Sequence, residues 1–303
     1  MKVFITGGTG FVGRSLTMEL ADKGHQVTVL DRTVKSEKEF PSTVSFIETD
    51  STVRGPWQEK AAQHEIIINL AGASIFSRWN EKTKRAILES RIRTTNNLVE
   101  AISRNNNKGV RLFSTSAVGY YGFHEDEILT EAAPAGNDFL ASVARDWEAA
   151  ANEARTFHAK VIICRFGIVL GRLGGALQQM LPIFKFYMGS PLGSGRQWLS
   201  WIHEKDLVSI FLFLIDQKDA ESPFNCTAPQ PVRNSEMTAA IGEVLGVPTL
   251  PLHVPGFMMR LILGEFGDVL LKGQKVIPDR LTQLGFQFRF PTIQSALRDL
   301  LKK

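Results

Sequence analysis

The chain has 303 residues, of which 44% are hydrophobic and 22% are charged, and it carries a formal net charge of +4. These proportions exclude disordered, collagen-like and coiled-coil proteins, and the length allows a large core in one or two domains. The 35 basic and 31 acidic residues are interspersed, so no dense basic tract predicts nucleic-acid binding. Two cysteines are too few for a disulfide framework, which favours reduced core thiols and a cytoplasmic location.

The N-terminus predicts a buried first strand and no targeting segment. Residues 1–5 run directly into a glycine-rich turn, whereas a signal peptide needs a longer apolar stretch and a cleavage site. The longest apolar run, Ile210–Ile215, is too short to span a bilayer. We therefore expect a soluble protein without a membrane span.

Short apolar runs alternate with stretches of helical period over the first two-thirds of the chain. The predicted strands are Val3–Ile5, Val27–Leu30, Ile66–Leu70, Arg111–Ser114 and Val161–Arg165, and the predicted helices are Phe11–Lys23, Glu81–Ser103 and Leu140–Phe157. The run Ile66–Leu70 is continuous, as expected for a strand that is covered on both faces. The alternation predicts an α/β protein with a Rossmann-type, doubly wound parallel sheet.

The composition of the sequence changes beyond about residue 171, where glycines and prolines become more frequent. We expect residues 1–170 to form the doubly wound domain, with its sheet completed by about residues 200–228. Residues 171–303 are predicted to form a smaller C-terminal α/β lobe. Two segments of this lobe, Val254–Leu271 and Ile293–Leu301, have a helical spacing of apolar residues that predicts packing faces.

A glycine-rich turn joins the first strand to the first helix. It consists of Thr6, Gly7, Gly8, Thr9, Gly10, Phe11, Val12 and Gly13. In this context the pattern is typical of a dinucleotide site. Gly7 permits the tight turn, Gly10 lets the backbone approach a pyrophosphate, and Gly13 allows close packing of helix on strand. The N–H groups and dipole at the helix start would then hold the phosphates, so residues 1–170 are predicted to bind NAD(P).

The second strand ends at Asp31 and Arg32, about 20 residues further on, where the residue that contacts the adenosine ribose belongs. Asp31 could accept hydrogen bonds from a 2′-hydroxyl, which favours NAD(H). Arg32 could clamp a 2′-phosphate if Asp31 turns aside, which favours NADP(H). We expect NADP(H), because Arg32 offers the charge that a phosphate needs, and NAD(H) stays the alternative.

Further cofactor contacts are expected at the carboxyl ends of later strands. The candidates are Asn69, Leu70, Ala71, Gly72, Ser114 and Arg165. Small residues at this edge would let the dinucleotide lie against the backbone. Asn69 could equally tie down a loop, and the segment that starts at Arg165 is expected to pass near the nicotinamide.

Together these residues resemble the short-chain dehydrogenase/reductase superfamily, and within it the extended branch of sugar-nucleotide epimerases. The segments that carry a narrower resemblance, to the YfcH-type subfamily, are Ser77–Lys82, Glu89–Ile92, Asp146–Glu148, Gly171–Ala176, Pro191–Trp198 and Gly273–Pro278. Members are labelled epimerase-family proteins or nucleoside-diphosphate-sugar epimerases, some are labelled cell-division inhibitors, and plant relatives act in plastid division. The resemblance covers essentially the whole chain, including a small subfamily-specific C-terminal domain from about residue 250.

The resemblance implies a serine and a Tyr-x-x-x-Lys pair, in which the lysine lowers the pKa of the phenol for proton transfer. Ser116 matches the serine, but the helix that should carry the pair, residues 138–148, contains neither tyrosine nor lysine. Tyr120 and Tyr121 follow the serine strand and could supply a phenol, or they could simply pack the loop. The standard proton-transfer apparatus is therefore missing.

Several residues are candidates for the substrate side. They are Arg78, Arg91, Arg196, Trp198, Trp201 and His203. Arginine can hold a phosphate or carboxylate while tryptophan stacks on a planar group, although ion pairing and core packing are the alternatives. The six histidines are scattered, so no metal site is predicted.

Two functions fit these observations. The first is an NAD(P)-dependent oxidoreductase or epimerase that acts on an unknown small molecule without the usual tyrosine–lysine pair. The alternative is a catalytically weak or inactive cofactor-binding regulator that acts through a protein partner, in cell or plastid division.

Overall fold

The computed structural model of the chain describes residues 1–34, 37–104, 109–220 and 222–302. Its strands are β1 (Lys2–Thr6), β2 (Gln26–Asp31), β3 (Val44–Glu48), β4 (Ile66–Asn69), β5 (Arg111–Ala117), β6 (Ile128–Leu129), β7 (Lys160–Phe166), β8 (Ile168–Leu170), β9 (Trp198–Leu199), β10 (Trp201–His203), β11 (Phe224–Cys226), β12 (Val232–Arg233) and β13 (Lys275–Val276). Its helices are α1 (Phe11–Asp22), α2 (Trp57–Ala61), α3 (Glu81–Ser103), α4 (Phe139–Asn152), α5 (Gly175–Lys185), α6 (Glu204–Asp216), α7 (Asn234–Leu245), α8 (Gly256–Leu263), α9 (Glu265–Leu271), α10 (Asp279–Gln283) and α11 (Ile293–Leu301).

Seven strands form the central sheet in the order β11-β7-β5-β4-β1-β2-β3, and all neighbours are parallel. The chain runs outward from β1 to β3 and then returns to β4 on the other side. Strands β1 and β4 therefore flank the point where the winding direction reverses, and a crevice opens there at the carboxyl edge. The predicted doubly wound α/β fold is confirmed.

Helices cover both faces of the sheet, which explains the continuous apolar runs in its strands. On β1, Ile5 packs into one core with residues of α1 and α6. Phe4 packs into a second core with residues of α3 and of a 3-10 turn at Glu153–Phe157. Ile5 and Phe4 are both fully buried. The alternation along β1 therefore places Val3 and Ile5 against one helical layer and Phe4 against the other.

Two local predictions differ from the structure. Strand β3 was not predicted, because it lies at the sheet edge and only its first residue, Val44, is buried. The helix predicted over Leu140–Phe157 ends earlier, since α4 stops at Asn152 and a 3-10 turn occupies Glu153–Phe157. Both differences arise where burial is incomplete and the apolar pattern is weak.

The C-terminal lobe has its own core between α5, α7 and α11, centred on fully buried residues such as Trp201, Ile241 and Leu297. The packing face predicted for α11 is confirmed. The packing face predicted over Val254–Leu271 is wrong for its first half, because α8 contains no buried residue. Among the described residues, no helix is long and apolar enough to cross a membrane.

Candidate functional site

The turn between β1 and α1 is shaped by glycines that leave no room for side chains. Gly7 has a φ of +74°, in the left-handed region that favours glycine. A Cβ on Gly13 would lie 2.1 Å from the carbonyl oxygen of Gly7, and a Cβ on Gly8 would lie 2.8 Å from both methyl groups of Val29. The close approach of α1 to β1 and β2 therefore requires glycine at these positions.

The first turn of α1 offers uncapped N–H groups to a ligand. Its N-cap, Gly10, has no capping side chain, and the first turn contains no acidic residue. A Cβ on Gly10 would meet only the carbonyl oxygen of Gly7, at 3.2 Å, so the space outside this residue is open. Helix N-termini with free N–H donors and a positive dipole end bind phosphates. The glycine-rich turn of residues 6–13, which we call the cofactor cradle, therefore fits the diphosphate of a dinucleotide.

Other side chains of the predicted cofactor segments face the protein interior. The ring of Phe11 lies beneath Gly171 and Gly174, where added Cβ atoms would approach it to 2.3 and 2.4 Å. Val12 and Leu70 pack against the core of the sheet. The three side chains are partly buried, so the backbone of these residues is the part most open to a cofactor.

Asp31 is turned toward the glycine-rich turn. Its carboxylate accepts hydrogen bonds from the backbone N–H and the hydroxyl of Thr9, and from the backbone N–H of Arg32 at 2.9 Å. The Arg32 side chain is exposed, and it forms no salt bridge with the part of the chain that the structure describes. The Asp31 carboxylate therefore already has hydrogen-bond partners within the protein, and the exposed Arg32 side chain lies beside it at the end of β2.

Asn69 ties the sheet to α3. Its Oδ1 accepts a hydrogen bond from the Thr6 hydroxyl at 2.8 Å, and its Nδ2 donates to the Thr95 hydroxyl at 2.9 Å. Asn69 is fully buried, so of its two predicted roles the structure shows the structural one. The backbone that follows lies against the turn, since a Cβ on Gly7 would be 3.1 Å from the nitrogen of Ala71.

Arg91 places a partly buried cation beside the crevice. Its Nη1 donates to the carbonyl oxygens of Ala73 at 3.1 Å and Ile87 at 3.0 Å, and a Cβ on Gly72 would lie 3.2 Å from its Cζ. Its guanidinium also lies 5.1 Å from the ring centroid of Trp147. No carboxylate of the described residues pairs with it, and burial lowers its pKa to about 10. An unpaired cation at this edge is suited to an anionic ligand group.

Ser116 belongs to a buried ion-pair network. Its hydroxyl donates to Glu148 Oε1 at 2.6 Å, and Arg165 donates to both carboxylate oxygens of Glu148 at 2.8 Å. The three residues are at most 8% exposed. Burial opposes the charge on Arg165, but its contacts with Glu148 outweigh that cost and hold the arginine pKa above its ordinary value. The structure encloses the guanidinium of Arg165, a predicted cofactor residue, in this network.

The two candidate phenols occupy different environments. The Tyr121 hydroxyl donates to Asn225 Oδ1 at 2.6 Å and accepts from Arg165 at 2.9 Å, and burial raises the pKa of Tyr121 to about 12. Tyr120 keeps some exposed surface, and its ring lies 3.5 Å from the Arg165 guanidinium. Leu140, on the helix that should carry the tyrosine–lysine pair, packs below Gly119. Tyr120 is therefore the more accessible phenol.

The predicted substrate-side tryptophans separate in the structure. Trp198 is partly exposed, its Nε1 donates to Asp126 at 2.8 Å, and cations of Arg233 and Lys275 lie 4.4 and 4.6 Å from its ring centroid. Trp201 is fully buried and donates to the carbonyl oxygen of Gln230. Arg78 and Arg196 are both exposed. The residues around Trp198 come from distant parts of the chain, so no local sequence signal predicted them.

His203 is a buried helix cap. Its ring stacks on Phe290 at 3.8 Å between centroids, and its Nδ1 accepts from the backbone N–H of Lys205 at 3.0 Å. The side chain is fully buried. Burial lowers its pKa to about 4, although the nearby Asp299 carboxylate opposes the shift. The ring is therefore neutral at pH 7 and does not reach the crevice.

The pKa of His203 predicts an acid-sensitive fold. The unfolded chain gains a proton near the ordinary value of 6.5, whereas the folded chain gains it near 4. The contribution of His203 to the free energy of unfolding is therefore fully present above pH 6.5 and falls as the pH drops toward 4. At pH 5 this contribution is lower by about 2 kcal/mol. We expect His203→Asn, which keeps a capping side chain, to remove this part of the pH dependence of urea unfolding. His158→Asn, on an exposed turn, should leave the dependence unchanged, and identical profiles for all three proteins would contradict the assignment.

The remaining polar group at the carboxyl edge of the sheet is Ser114. The hydroxyl of Ser114 is fully buried and has no hydrogen-bond partner among the described residues. Within the same residues, no group of three or more histidine, cysteine, aspartate or glutamate side chains could hold a metal ion. Cys164 and Cys226 are buried free thiols.

Comparisons with known proteins agree with this geometry. The family model described as "NAD dependent epimerase/dehydratase family" matches residues 3–226, and a domain of unknown function, DUF1731, matches residues 254–300. The chain is 40% identical over its whole length to the chloroplastic epimerase family protein SDR39U1 homolog of Arabidopsis thaliana, of which it covers 87%. It is 37% identical to an epimerase family protein of Staphylococcus aureus, with 100% and 99% of the two chains covered.

A solved structure shows the same similarity. The human epimerase family protein SDR39U1 (isoform 2), solved with NADPH, matches with a TM-score of 0.85 at 31% identity, and the match covers 99% of each chain. Sequence and structure thus agree over both lobes. The chain belongs to the NAD-dependent epimerase/dehydratase family, as the motifs of its sequence had indicated.

Proposed function

We propose that this protein is an NADP(H)-dependent oxidoreductase or epimerase that acts on a small molecule. The observation that carries the proposal is the position of Asp31, whose carboxylate is engaged by Thr9, while the Arg32 side chain, whose charge also acts on Asp50, is exposed at the end of β2. A ribose 2′-hydroxyl would compete with Thr9 for this carboxylate, whereas a 2′-phosphate would find an exposed guanidinium. The human relative solved with NADPH supports the same preference.

The residues of the crevice fit the remaining parts of such a cofactor. The open N-terminus of α1 at Gly10 would hold the diphosphate. Arg91 would contribute charge beside Gly72. The cofactor would supply or accept the hydride.

Proton transfer is assigned to Tyr120. Of the three candidate catalytic residues it alone keeps exposed surface, since Ser116 is 1% exposed and Tyr121 is fully buried. The Ser116 hydroxyl is directed at Glu148 and the Tyr121 hydroxyl at Asn225, so both act here as positioning groups. The absence of a lysine four residues after a tyrosine is consistent with slow turnover.

A cofactor titration with Arg32→Ala tests the proposal. We expect fluorescence titration to show NADPH binding to the wild type, and the variant to bind NADPH about 10- to 100-fold more weakly, because a charge-assisted phosphate contact is lost. The NADH affinity should change by less than about twofold. Arg93→Ala, which alters an exposed ion pair on α3, is the matched control and should leave both affinities unchanged. Equal losses for the two nucleotides would exclude the phosphate contact, and failure of both to bind the wild type would exclude the cofactor site.

The proposal also places the protein in a reducing compartment, which includes the cytoplasm, because Cys164 and Cys226 are buried thiols rather than a disulfide. The Arabidopsis relative is named chloroplastic. No feature of the described residues favours the alternative of a regulator that acts through a protein partner in cell division, and we do not propose it.

A further inference from the structure

We infer that the helical hairpin of α8 and α9 (residues 256–271), which we call the latch hairpin, holds the chain segment beside the cofactor cradle. This segment consists of residues 72–80, and we call it the edge segment. The inference concerns the regulation of the proposed site and rests on the proposed function, because NADPH is the ligand whose affinity the hairpin would set. Release of the hairpin would free the edge segment and weaken cofactor binding.

The edge segment starts at the cradle and is exposed along most of its length. Ala71 lies against the cradle, and a Cβ on the next residue, Gly72, would lie 3.2 Å from Cζ of Arg91. Within the edge segment only Trp79 is buried, with 6% of its surface exposed. A single buried side chain therefore fixes the far end of a segment whose near end borders the cofactor site.

The tip of the latch hairpin contributes much of the pocket around Trp79. The centroids of the Trp79 and Phe266 rings are 5.4 Å apart, and the backbone N–H of Trp79 donates to the carbonyl oxygen of Leu263 at 3.4 Å. A Cβ on Gly264 would lie 3.2 Å from the carbonyl oxygen of Trp79. From the doubly wound domain, Phe139 meets the Trp79 ring edge-on at 5.3 Å. The far end of the edge segment is therefore enclosed between this domain and the hairpin tip.

One ion pair also joins the tip to α3. The ammonium group of Lys84 lies 3.1 Å from the carboxylate of Glu265, whose side chain is 60% exposed. An exposed pair of this kind adds little to stability. The apolar contacts between the tip and Trp79 are therefore the main attachment of the hairpin to the doubly wound domain.

Contacts within the latch hairpin make it a single unit. A Cβ on Gly267 would lie 2.6 Å from the carbonyl oxygen of Met259, so the two helices are in close backbone contact. Across the hairpin, the Arg260 guanidinium donates to the Asp268 carboxylate at 2.6 Å. These contacts do not involve the rest of the protein, and the hairpin can therefore keep its shape when its tip leaves Trp79.

Few side chains hold this unit in place. Helix α8 contains no buried residue, and α9 buries only Phe266 and Gly267. The base of the hairpin is attached to the C-terminal lobe, since Gln197 donates to the carbonyl oxygen of Leu270 at 3.0 Å. Segments with few buried contacts open at a lower free energy than the core does. Separation of the tip from Trp79 is therefore a local opening that leaves the cores of both lobes folded.

The seated and released positions of the tip would bind the cofactor differently. With the tip seated, Trp79 stays buried and the edge segment keeps Gly72 and Arg91 beside the cradle. With the tip released, the edge segment loses the cover of its one buried side chain. NADPH in the cradle would then favour the seated position, and the seated tip would raise the affinity for NADPH by the same factor.

Hydrogen exchange followed by mass spectrometry tests the coupling from the side of the cofactor. We expect saturating NADPH to slow exchange about fivefold or more in peptides from the latch hairpin and in the peptide that contains Trp79. Peptides from the exposed 3-10 turn Glu153–Phe157 are the control and should change less than twofold. NADPH binding that leaves exchange in the hairpin and at Trp79 unchanged would overturn the inference and leave the proposed function standing.

Two variants test the same coupling from the side of the hairpin. Phe266→Ala removes the ring that packs on Trp79, and it should speed exchange at Trp79 and weaken NADPH binding, each about fivefold or more. Glu265→Lys places a second cation beside Lys84 and should act in the same direction, by about twofold. The matched control is Glu243→Lys, which reverses an exposed charge on α7 and should change neither property.

The variants also distinguish failure of the latch from failure of folding or of the proposed function. Circular dichroism reports whether Phe266→Ala folds, and Glu265→Lys, at an exposed position, supplies the test if it does not. Exchange in the variants is measured without nucleotide, so the attachment of the edge segment is tested even if NADPH fails to bind and the proposed function is excluded. Exchange at Trp79 equal to that of the wild type in both folded variants would contradict the inference.

Discussion

Replacing Glu148 by glutamine is expected to lower the free energy of unfolding by about 3–5 kcal/mol, because it leaves the Arg165 guanidinium buried without a counter-ion. Arg165 is 3% exposed and donates two hydrogen bonds of 2.8 Å to the Glu148 carboxylate. The same carboxylate accepts from Ser116, so the variant should also loosen β5 where it ends at the crevice. Urea unfolding followed by circular dichroism measures the loss.

A surface pair gives the matched control for this experiment. Glu89 and Arg93 are joined at 3.2 Å on α3, but their side chains are 42% and 60% exposed. Glu89→Gln should therefore cost less than about 1 kcal/mol. Combining Glu148→Met with Arg165→Met should recover much of the stability, because no buried charge then remains. A loss below 1 kcal/mol for Glu148→Gln alone would mean that water reaches the guanidinium.

Replacing Gly13 by alanine is expected to abolish measurable NADPH binding and to destabilise the fold. The new Cβ would lie 2.1 Å from the carbonyl oxygen of Gly7 and 2.8 Å from the Cα of Gly8. Neither contact can be relieved by a side-chain rotation, because both involve backbone atoms, so α1 must move away from β1. We expect a cost of about 2–3 kcal/mol and a loss of more than about 100-fold in affinity.

Gly10→Ala separates binding from folding in the same turn. Its Cβ would meet only the Gly7 carbonyl oxygen, at 3.2 Å, and otherwise enter the space assigned to the diphosphate. The melting temperature should therefore stay within a few degrees of the wild type while NADPH binding falls about tenfold or more. Gly55→Ala, with an ordinary 3.4 Å contact to Trp57, should change neither property. Wild-type affinity in both Gly10→Ala and Gly13→Ala would contradict the position of the cradle.

Much of the fold and the centre of the cofactor cradle could be predicted from the sequence because their signals are local. The run Ile66–Ile68 at the start of the predicted strand Ile66–Leu70 is apolar because both sheet faces are covered, and this pattern is visible without knowledge of the neighbouring elements. The φ of +74° at Gly7 and the close contact of Gly13 with the Gly7 carbonyl oxygen both arise within seven residues of chain, so the glycine spacing alone indicates a strand, a turn and a helix. The predicted bounds of α3, Glu81–Ser103, match the structure because a capping residue, Asn80, precedes it.

The roles of individual side chains at the crevice could be decided only by the tertiary structure. Arg165 and Asn69 stand at the carboxyl ends of their strands, as cofactor residues would, but partners from α4 and α3 occupy their polar groups. The Asp31 carboxylate stands at the end of β2, as a ribose-binding residue would, but Thr9 donates two hydrogen bonds to it. Helix α8 has the spacing of a packing helix, yet only Leu263 among its apolar side chains packs against the cluster around Trp79, while Phe257, Leu261 and Ile262 are exposed. In each case the residue's function depends on a neighbour distant in sequence, and a local pattern carries no information about whether that neighbour is there.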